Sequence, residues 1–374
     1  MRGRLFTAYW LLQYNPITFY LIANSGGYGI TGTRVSWALF VSASFIILGL
    51  ILKHQVRFRH IIFIMLGLFS IFLTSFNEIS RFGEPLPGLY IIFIEFLLAY
   101  LVVVLFIPKT FSIDLTNWRK WVYLFMGVNI IIWVLAFASG DSWGIFRAFI
   151  GGVTLNRLPD FMLPILLPSF LISAGFFGSL LIISYVLLTS YRTIYVGFIM
   201  AIILNAIGSK ITKSALKIIF LIIVTSILVT IVFPETIVIF ERLISAFLSE
   251  DKVLGEASKS QRFNDLSLLL QGIPSCLPFG CGSVDPITST PLFNFSFFPI
   301  WTILAFGVGA LPFLLWLLFP IFSVIGHRDK GYNGAWIMLF FIAMLFPYLH
   351  YFPLTGVMAV FTYLVLDDRR WLKQ

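Results

Sequence analysis

Charge is what this chain has least of. Asp, Glu, Lys and Arg make up 11% of its 374 residues, against about 25% in globular proteins, which excludes an ordinary soluble fold. Cysteine is nearly absent as well. The two present, Cys276 and Cys281, are five apart, with no CxxC and no Cys/His cluster, so a structural zinc site is excluded. One disulfide is open to them if their segment faces an oxidising compartment. No internal repeat, soluble domain or low-complexity linker breaks the chain, so a single membrane domain, 1–374, is the expected organisation. What fills the space is apolar: 59% hydrophobic residues, with 42 Phe. The fold class that follows is all-α, a polytopic membrane protein.

The net charge of +9 does not point to nucleic acid, because of where the charge sits. Much of the excess lies in short connectors: Lys53, Arg57 and Arg59; Arg119 and Lys120; Lys210, Lys213 and Lys217; Arg328 and Lys330; Arg369, Arg370 and Lys373. Short basic loops flanking apolar spans set orientation in a membrane.

A helix needs ~20 apolar residues to cross ~30 Å of hydrocarbon. Candidate spans run roughly over 5–23, 35–52, 61–76, 89–107, 121–138, 192–207, 215–233, 299–325, 335–350 and 353–367. Met1–Arg4 ahead of the first reads as a retained anchor, with Pro16 kinking it. The segment 161–190 is long for one crossing and short for two. Two short helices turning near Gly175–Gly178 put every basic connector on one side, whereas one crossing does not. About 12 transmembrane helices with both termini cytoplasmic is the expected topology, the hairpin at 161–190 being either two short helices or a re-entrant segment.

The two longest outward-facing segments are then 139–160 and the much longer 234–297. A polar connection of that length inside so apolar a chain argues for function. Within it, Leu266–Leu270 after Arg262 predicts a short amphipathic helix, with Ser258 and Ser260 as capping candidates and Gly272 and Pro274 as its stop. Its N-terminal turn would offer amides to an anion.

The topology leaves Arg34, Arg81, Arg147, Arg157, Arg192, Arg242 and Arg262 on the outer side. Arg34 and Arg81 fit helix ends whose side chains reach the headgroups. Arg147, Arg157, Arg192 and Arg262 fall on loops of one face, where clustered guanidinium groups suit a diphosphate; for Arg157 an ion pair with Asp160 is equally open. Glu241, Glu256, Asp265 and Asp285 supply carboxylates in the large loop for a proton acceptor. Asp265 follows Arg262 by three residues and so shares its helix face, where a simple salt bridge is the competing role. His350 is a further base candidate. Glu95, inside the apolar run IIFIEFLLAY, is either a structural or a substrate-facing carboxylate.

The order of these elements resembles a known family. Ser190-Tyr191-Arg192-Thr193 opening an apolar helix, Arg242-Leu243, Ser260-Gln261-Arg262 and the turn Pro278-Phe279-Gly280-Cys281-Gly282 are similar, in that succession, to the bacterial O-antigen polymerase and ligase family. Arg147 to Asn156 also resembles that family's arginine-and-glycine loop. The resemblance covers roughly residues 140–325, and Tyr191 departs from the family's adjacent Ser-Arg pair. The ligase branch carries a histidine before the helix that closes the large loop. Here that register holds Ser296, with Asn294 close by, so the polymerase branch is favoured.

The resemblance implies a GT-C-like glycosyltransferase that uses no metal and no cofactor. It would join oligosaccharide repeat units carried on undecaprenyl diphosphate at the periplasmic face of the inner membrane. Arg192 and Arg262 would stabilise the departing diphosphate; the base is left open by the resemblance, Asp265 being the candidate taken from the loop carboxylates because it shares a helix face with Arg262. Arg147, Arg157, Arg242 and His350 would bind substrate. Membrane lipids and a chain-length regulator protein are the expected partners, and nucleic acid is not. Two alternatives stand beside it: a ligase moving finished glycan to lipid A core, and a lipid-linked oligosaccharide flippase or other transporter.

Overall fold

The computed structural model describes residues 2–14, 33–82, 87–107, 123–124, 126–127, 171, 175–188, 196–202, 224, 256–288, 292, 297–318, 340, 344 and 352–367. Among them every regular element is helical and no strand occurs. In chain order these are α1 (Arg2–Tyr14), α2 (Thr33–Ile51), α3 (Phe58–Phe82), α4 (Pro87–Phe106), α5 (Phe176–Leu188), α6 (Glu256–Cys276) and α7 (Phe298–Phe306). After α7 come a 3₁₀ turn (Gly307–Ala310), one α turn (Leu311–Leu314) and a second 3₁₀ turn (Leu315–Leu318); α8 (Phe352–Asp367) closes the series. Two helical stretches are long and apolar enough to cross a membrane, Phe58–Ser80 and Phe298–Leu318.

The chain divides into two compact units. The first comprises Met1–Ser112, Asp265–Phe322 and Phe346–Gln374. Its centre is α4, buried nearly all round from Tyr90 to Ile107, as expected of a helix that is hydrophobic on every face. α2 and α8 pack along it, with α1 and α3 alongside. Glu95 lies in this interior. Polar side chains tie α1 to α2: the Gln13 Nε2 donates to Ala38 O at 2.9 Å and Ser42 Oγ at 3.0 Å, and Tyr9 OH meets Ser42 Oγ at 3.2 Å. Where neighbouring surfaces are as apolar as lipid, such bonds give helix pairs their register.

The second unit comprises Ile113–Asn264 and Ser323–Leu345. Its described core includes Met126, Leu171, Ile182, Tyr185 and Phe198, and Gly178 of α5 lies directly against Tyr123. Of the segment 161–190, α5 is the part described as a helix; the turn and first arm of the expected hairpin lie outside the described residues, apart from Leu171 and Gly175.

α3 gives the first unit two chemically different ends. At its start, Arg57 donates to Asp367 Oδ1 at 2.8 Å, Arg59 bonds the same oxygen, and Tyr363 OH reaches Oδ2 at 3.3 Å. His60 stacks on Tyr363 and its Nδ1 meets Tyr100 OH at 2.7 Å. The buried Asp367 carboxylate thus fastens the end of α8 to the basic connector 53–60. From His60 to Glu78, near the other end of α3, a helix rises about 27 Å, close to one hydrocarbon thickness.

Candidate functional site

The distal end of α3 carries the turn Pro278–Gly282. It is delivered by α6, whose buried positions Asp265, Leu269, Gly272 and Cys276 follow helical spacing along one face. The helix runs 21 residues, past Gly272 and Pro274, where a stop is expected. Packing explains the difference. A Cβ on Gly272 would lie 2.6 Å from Leu304 Cδ2, so the glycine is where α6 closes on α7. Pro274 is exposed and is accommodated inside the helix.

Cys276 and Cys281 form a disulfide, so the turn is closed covalently as well as by the Gly280 N–H donating to Cys276 O at 2.6 Å. The Leu277–Pro278 peptide is cis. The turn then docks on the end of α7. Cys281 N–H donates to Leu304 O at 2.7 Å, Gly282 N–H to Ala305 O at 3.1 Å, and Val308 N–H to Pro278 O at 2.9 Å. The Leu304 and Ala305 carbonyls belong to the last turn of α7, where a helix offers them no partner of its own.

They are free because α7 breaks at Gly307 (φ 57°, ψ −131°). The break is also visible in the aromatic packing. Phe298 and Phe313 lie 6.4 and 4.2 Å from the Phe93 ring, centroid to centroid, whereas a straight helix would separate them by about 22 Å along its axis. The expected single span over 299–325 is therefore bent around Phe93 within its described part. Gly280 (φ 81°) and Gly307 face each other across the junction. A Cβ on Gly307 would come 2.0 Å from Pro278 O, and one on Gly280 2.1 Å from Ala305 O. Only glycine satisfies both the dihedrals and the approach.

On its other side the turn is held by α3. Asn77 Nδ2 donates to Gly280 O at 2.6 Å. The fully buried Glu78 accepts from Ser283 N–H at 3.0 Å and Ser283 Oγ at 2.8 Å, and Tyr90 OH donates to its other oxygen. Three donors compensate the desolvated carboxylate. Both oxygens of Glu78 are thus engaged by the protein, and the group positions the turn. Further along, Asp285 Oδ2 accepts from Ile287 N–H at 3.2 Å, Thr288 N–H at 2.7 Å and Thr288 Oγ1 at 2.7 Å. It thereby caps the following turn, while its Oδ1 is buried with no hydrogen-bond partner.

No protein-family model, curated protein or solved structure matches this chain.

Of the residues singled out by sequence, Asp265 is placed on the buried face of α6, and Arg262 lies on the same helix three residues earlier, with its side chain outside the described residues. Arg147, Arg157, Arg192, Arg242 and His350 also lie outside them. Asn77, Glu78 and Tyr90, which hold the turn, are not singled out by sequence: Asn77 and Glu78 fall just past the expected end of their span at 76, and Tyr90 reads as one more aromatic of the span 89–107. One signal was present: a carboxylate near the C-terminal end of an apolar helix opposes the helix dipole and needs a partner from elsewhere.

Proposed function

We propose that this protein is a surface-polysaccharide polymerase of the bacterial inner membrane. It joins oligosaccharide repeat units carried on undecaprenyl diphosphate at the periplasmic face. The observation that carries the reading is the succession Ser190–Thr193, Arg242-Leu243, Ser260–Arg262 and Pro278–Gly282 in one apolar chain. The disulfide supports the outward placement of the large loop, since such bonds persist in oxidising compartments.

In this reading the twelve-span, GT-C-like arrangement puts both termini in the cytoplasm. A hydroxyl of one lipid-linked unit attacks the anomeric carbon of the other chain. The carbon–oxygen bond to the diphosphate breaks, and undecaprenyl diphosphate leaves with the electron pair. Arg192 and Arg262 stabilise that growing negative charge as fixed guanidinium groups. Arg147, Arg157 and Arg242 hold diphosphate and sugar, with His350 as a further substrate contact. Asp265 takes the proton from the attacking hydroxyl.

The decisive experiment incubates the purified protein in lipid with undecaprenyl-diphosphate-linked repeat units and no added metal, and separates the products on a gel. A ladder of lengthening glycans is the expected result. Transfer of glycan to added lipid A core without a ladder would make the protein a ligase. Unchanged substrate moved across the bilayer would make it a transporter.

A further inference from the structure

One face of α3 is apolar and exposed along its whole length: Phe58, Ile62, Met65, Phe69, Phe72 and Phe76 recur every three or four residues, with Ile79 continuing the row. From 58 to 79 the row is about 31 Å long, the depth of a hydrocarbon core. Apolar surface of that extent needs an apolar cover, and lipid supplies it.

The row does not stop where α3 stops. Asn77 binds Gly280 O, which sets the disulfide turn beside the last exposed residues of α3. There the turn places Phe279 outward, 60% exposed, with Leu277 at 46%. Val308, bonded to Pro278 O, and Leu311 are exposed beyond them, at 62% and 64%. Neither 276–284 nor 297–318 contains a charged residue, in contrast to 250–265 just upstream.

Most of the turn's backbone donors are satisfied within the protein, the Phe279 amide not being among them. Irregular chain is excluded from lipid when its polar groups have no partners. Here the amides of Leu277, Gly280, Cys281 and Gly282 each donate to a carbonyl of the protein, Gly280 O accepts from Asn77, and Pro278 has no amide proton. The interlock at Gly280 and Gly307 and the Glu78 clamp fix this bonded state.

We propose that the disulfide turn is a lipid-contacting wedge. Phe279 and Leu277, flanked by Val308 and Leu311, insert among the acyl chains of the leaflet on the Glu78 side of the membrane. The large polar loop therefore does not lie wholly in water; its second half dips back to the level of the lipid. The proposal rests on the membrane-facing row of α3 and not on the glycan chemistry, so either can fail without the other.

The test introduces photoreactive p-benzoylphenylalanine at position 279 in the full chain, and separately at Leu277, Phe72 and Phe93. Each variant is reconstituted in vesicles of phosphatidylethanolamine and phosphatidylglycerol that contain no polyprenyl lipid. After irradiation, intact mass is measured. Position 72, exposed in the middle of the α3 row, reports ordinary lipid contact, and position 93, buried against Phe298 and Phe313, reports the background. The expected result is a shift by one phospholipid mass at 279 and 277, in yield comparable to position 72 and well above position 93. Yields at both 279 and 277 no higher than at 93 would overturn the proposal. So would cross-links from 279 to protein in place of lipid, or an unlabelled position 72.

Discussion

Glu78 and Ser283 are 205 residues apart in sequence, yet the Glu78 carboxylate accepts both the backbone amide and the hydroxyl of Ser283 in the buried interior. This one pair joins the end of α3 to the turn that follows α6. It fixes where the disulfide turn sits and, through that turn, where the carbonyls at the α7 break find their donors. Both carboxylate oxygens accept from the protein, so what the pair supplies is position.

Removing that clamp should be costly. Glu78→Ala leaves the Ser283 and Tyr90 donors buried without an acceptor, a loss of about 2–3 kcal/mol. A clear fall in the thermal midpoint of the detergent-solubilised protein is expected. Glu78→Gln, which keeps one acceptor oxygen, should fall in between. A midpoint for Glu78→Ala equal to that of the parent would show that the clamp is dispensable.

The interlocked glycines are expected to tolerate no side chain. Gly307→Ala and Gly280→Ala each drive a Cβ into a backbone carbonyl at a positive φ, so neither should yield monodisperse protein on size exclusion. Gly175→Ala, where a Cβ meets nothing within 4 Å, is the control and should behave as parent. Normal behaviour of both interlock variants would contradict the break at Gly307.

The disulfide closes a short loop, for which chain entropy predicts about 2 kcal/mol of stabilisation. The double variant Cys276→Ser with Cys281→Ser should lower the midpoint accordingly. Protein taken from an oxidising compartment should react with maleimide only after reduction. Two freely reactive thiols in freshly isolated membranes would place the turn in a reducing environment and remove the support for an outward-facing loop.

His54, in the basic connector between α2 and α3, titrates below its ordinary value. Burial is the main cause and the Arg2 charge adds to it, opposed in part by a bond to the backbone of Leu105. The unfolded chain then binds the proton more readily than the folded one. The stabilisation is therefore complete above about pH 6.5, the unperturbed histidine value, and is lost as pH falls through the lowered folded-state value. A midpoint series over pH should decline on the acid side, and His54→Gln should make it shallower there. An unchanged profile would remove His54 as the group responsible.

Arg262 tests the catalytic reading. Arg262→Ala should abolish the glycan ladder while leaving expression and thermal midpoint near parent values. Arg262→Lys should lose most of the activity if the guanidinium holds two diphosphate oxygens at once. Full activity in Arg262→Lys would show that charge alone suffices, and normal chain lengths in Arg262→Ala would sink the assignment of Arg262.

Several features were legible before any coordinates. A helix around Leu266–Leu270 is one of them, because helical propensity is a local property of the chain; its buried face, Asp265, Leu269, Gly272 and Cys276 with Leu270 exposed, is not the leucine face that the sequence suggests. The end of the helix was misplaced for an equally physical reason. Gly272 reads as a stop only while its neighbours are unknown; set against Leu304, it is a point of close packing inside the helix. Phe298–Leu318 reads as one span on hydropathy, since Gly307 and Gly309 are ordinary in apolar helices. The bend depends on Pro278 and Phe93, both remote in sequence.

The sequence by itself determined the class of molecule: scarce charge and repeated apolar runs leave helices and lipid as the way to satisfy the backbone. It also determined which cysteines could pair, there being only two. The tertiary structure alone decided that Glu78 meets Ser283, that α7 breaks where the disulfide turn can serve its carbonyls, and that Asp367 gathers Arg57 and Arg59. Hydrophobicity and helical period are written into neighbouring residues. The partner of a buried polar group is set by which distant segments the packing brings to it.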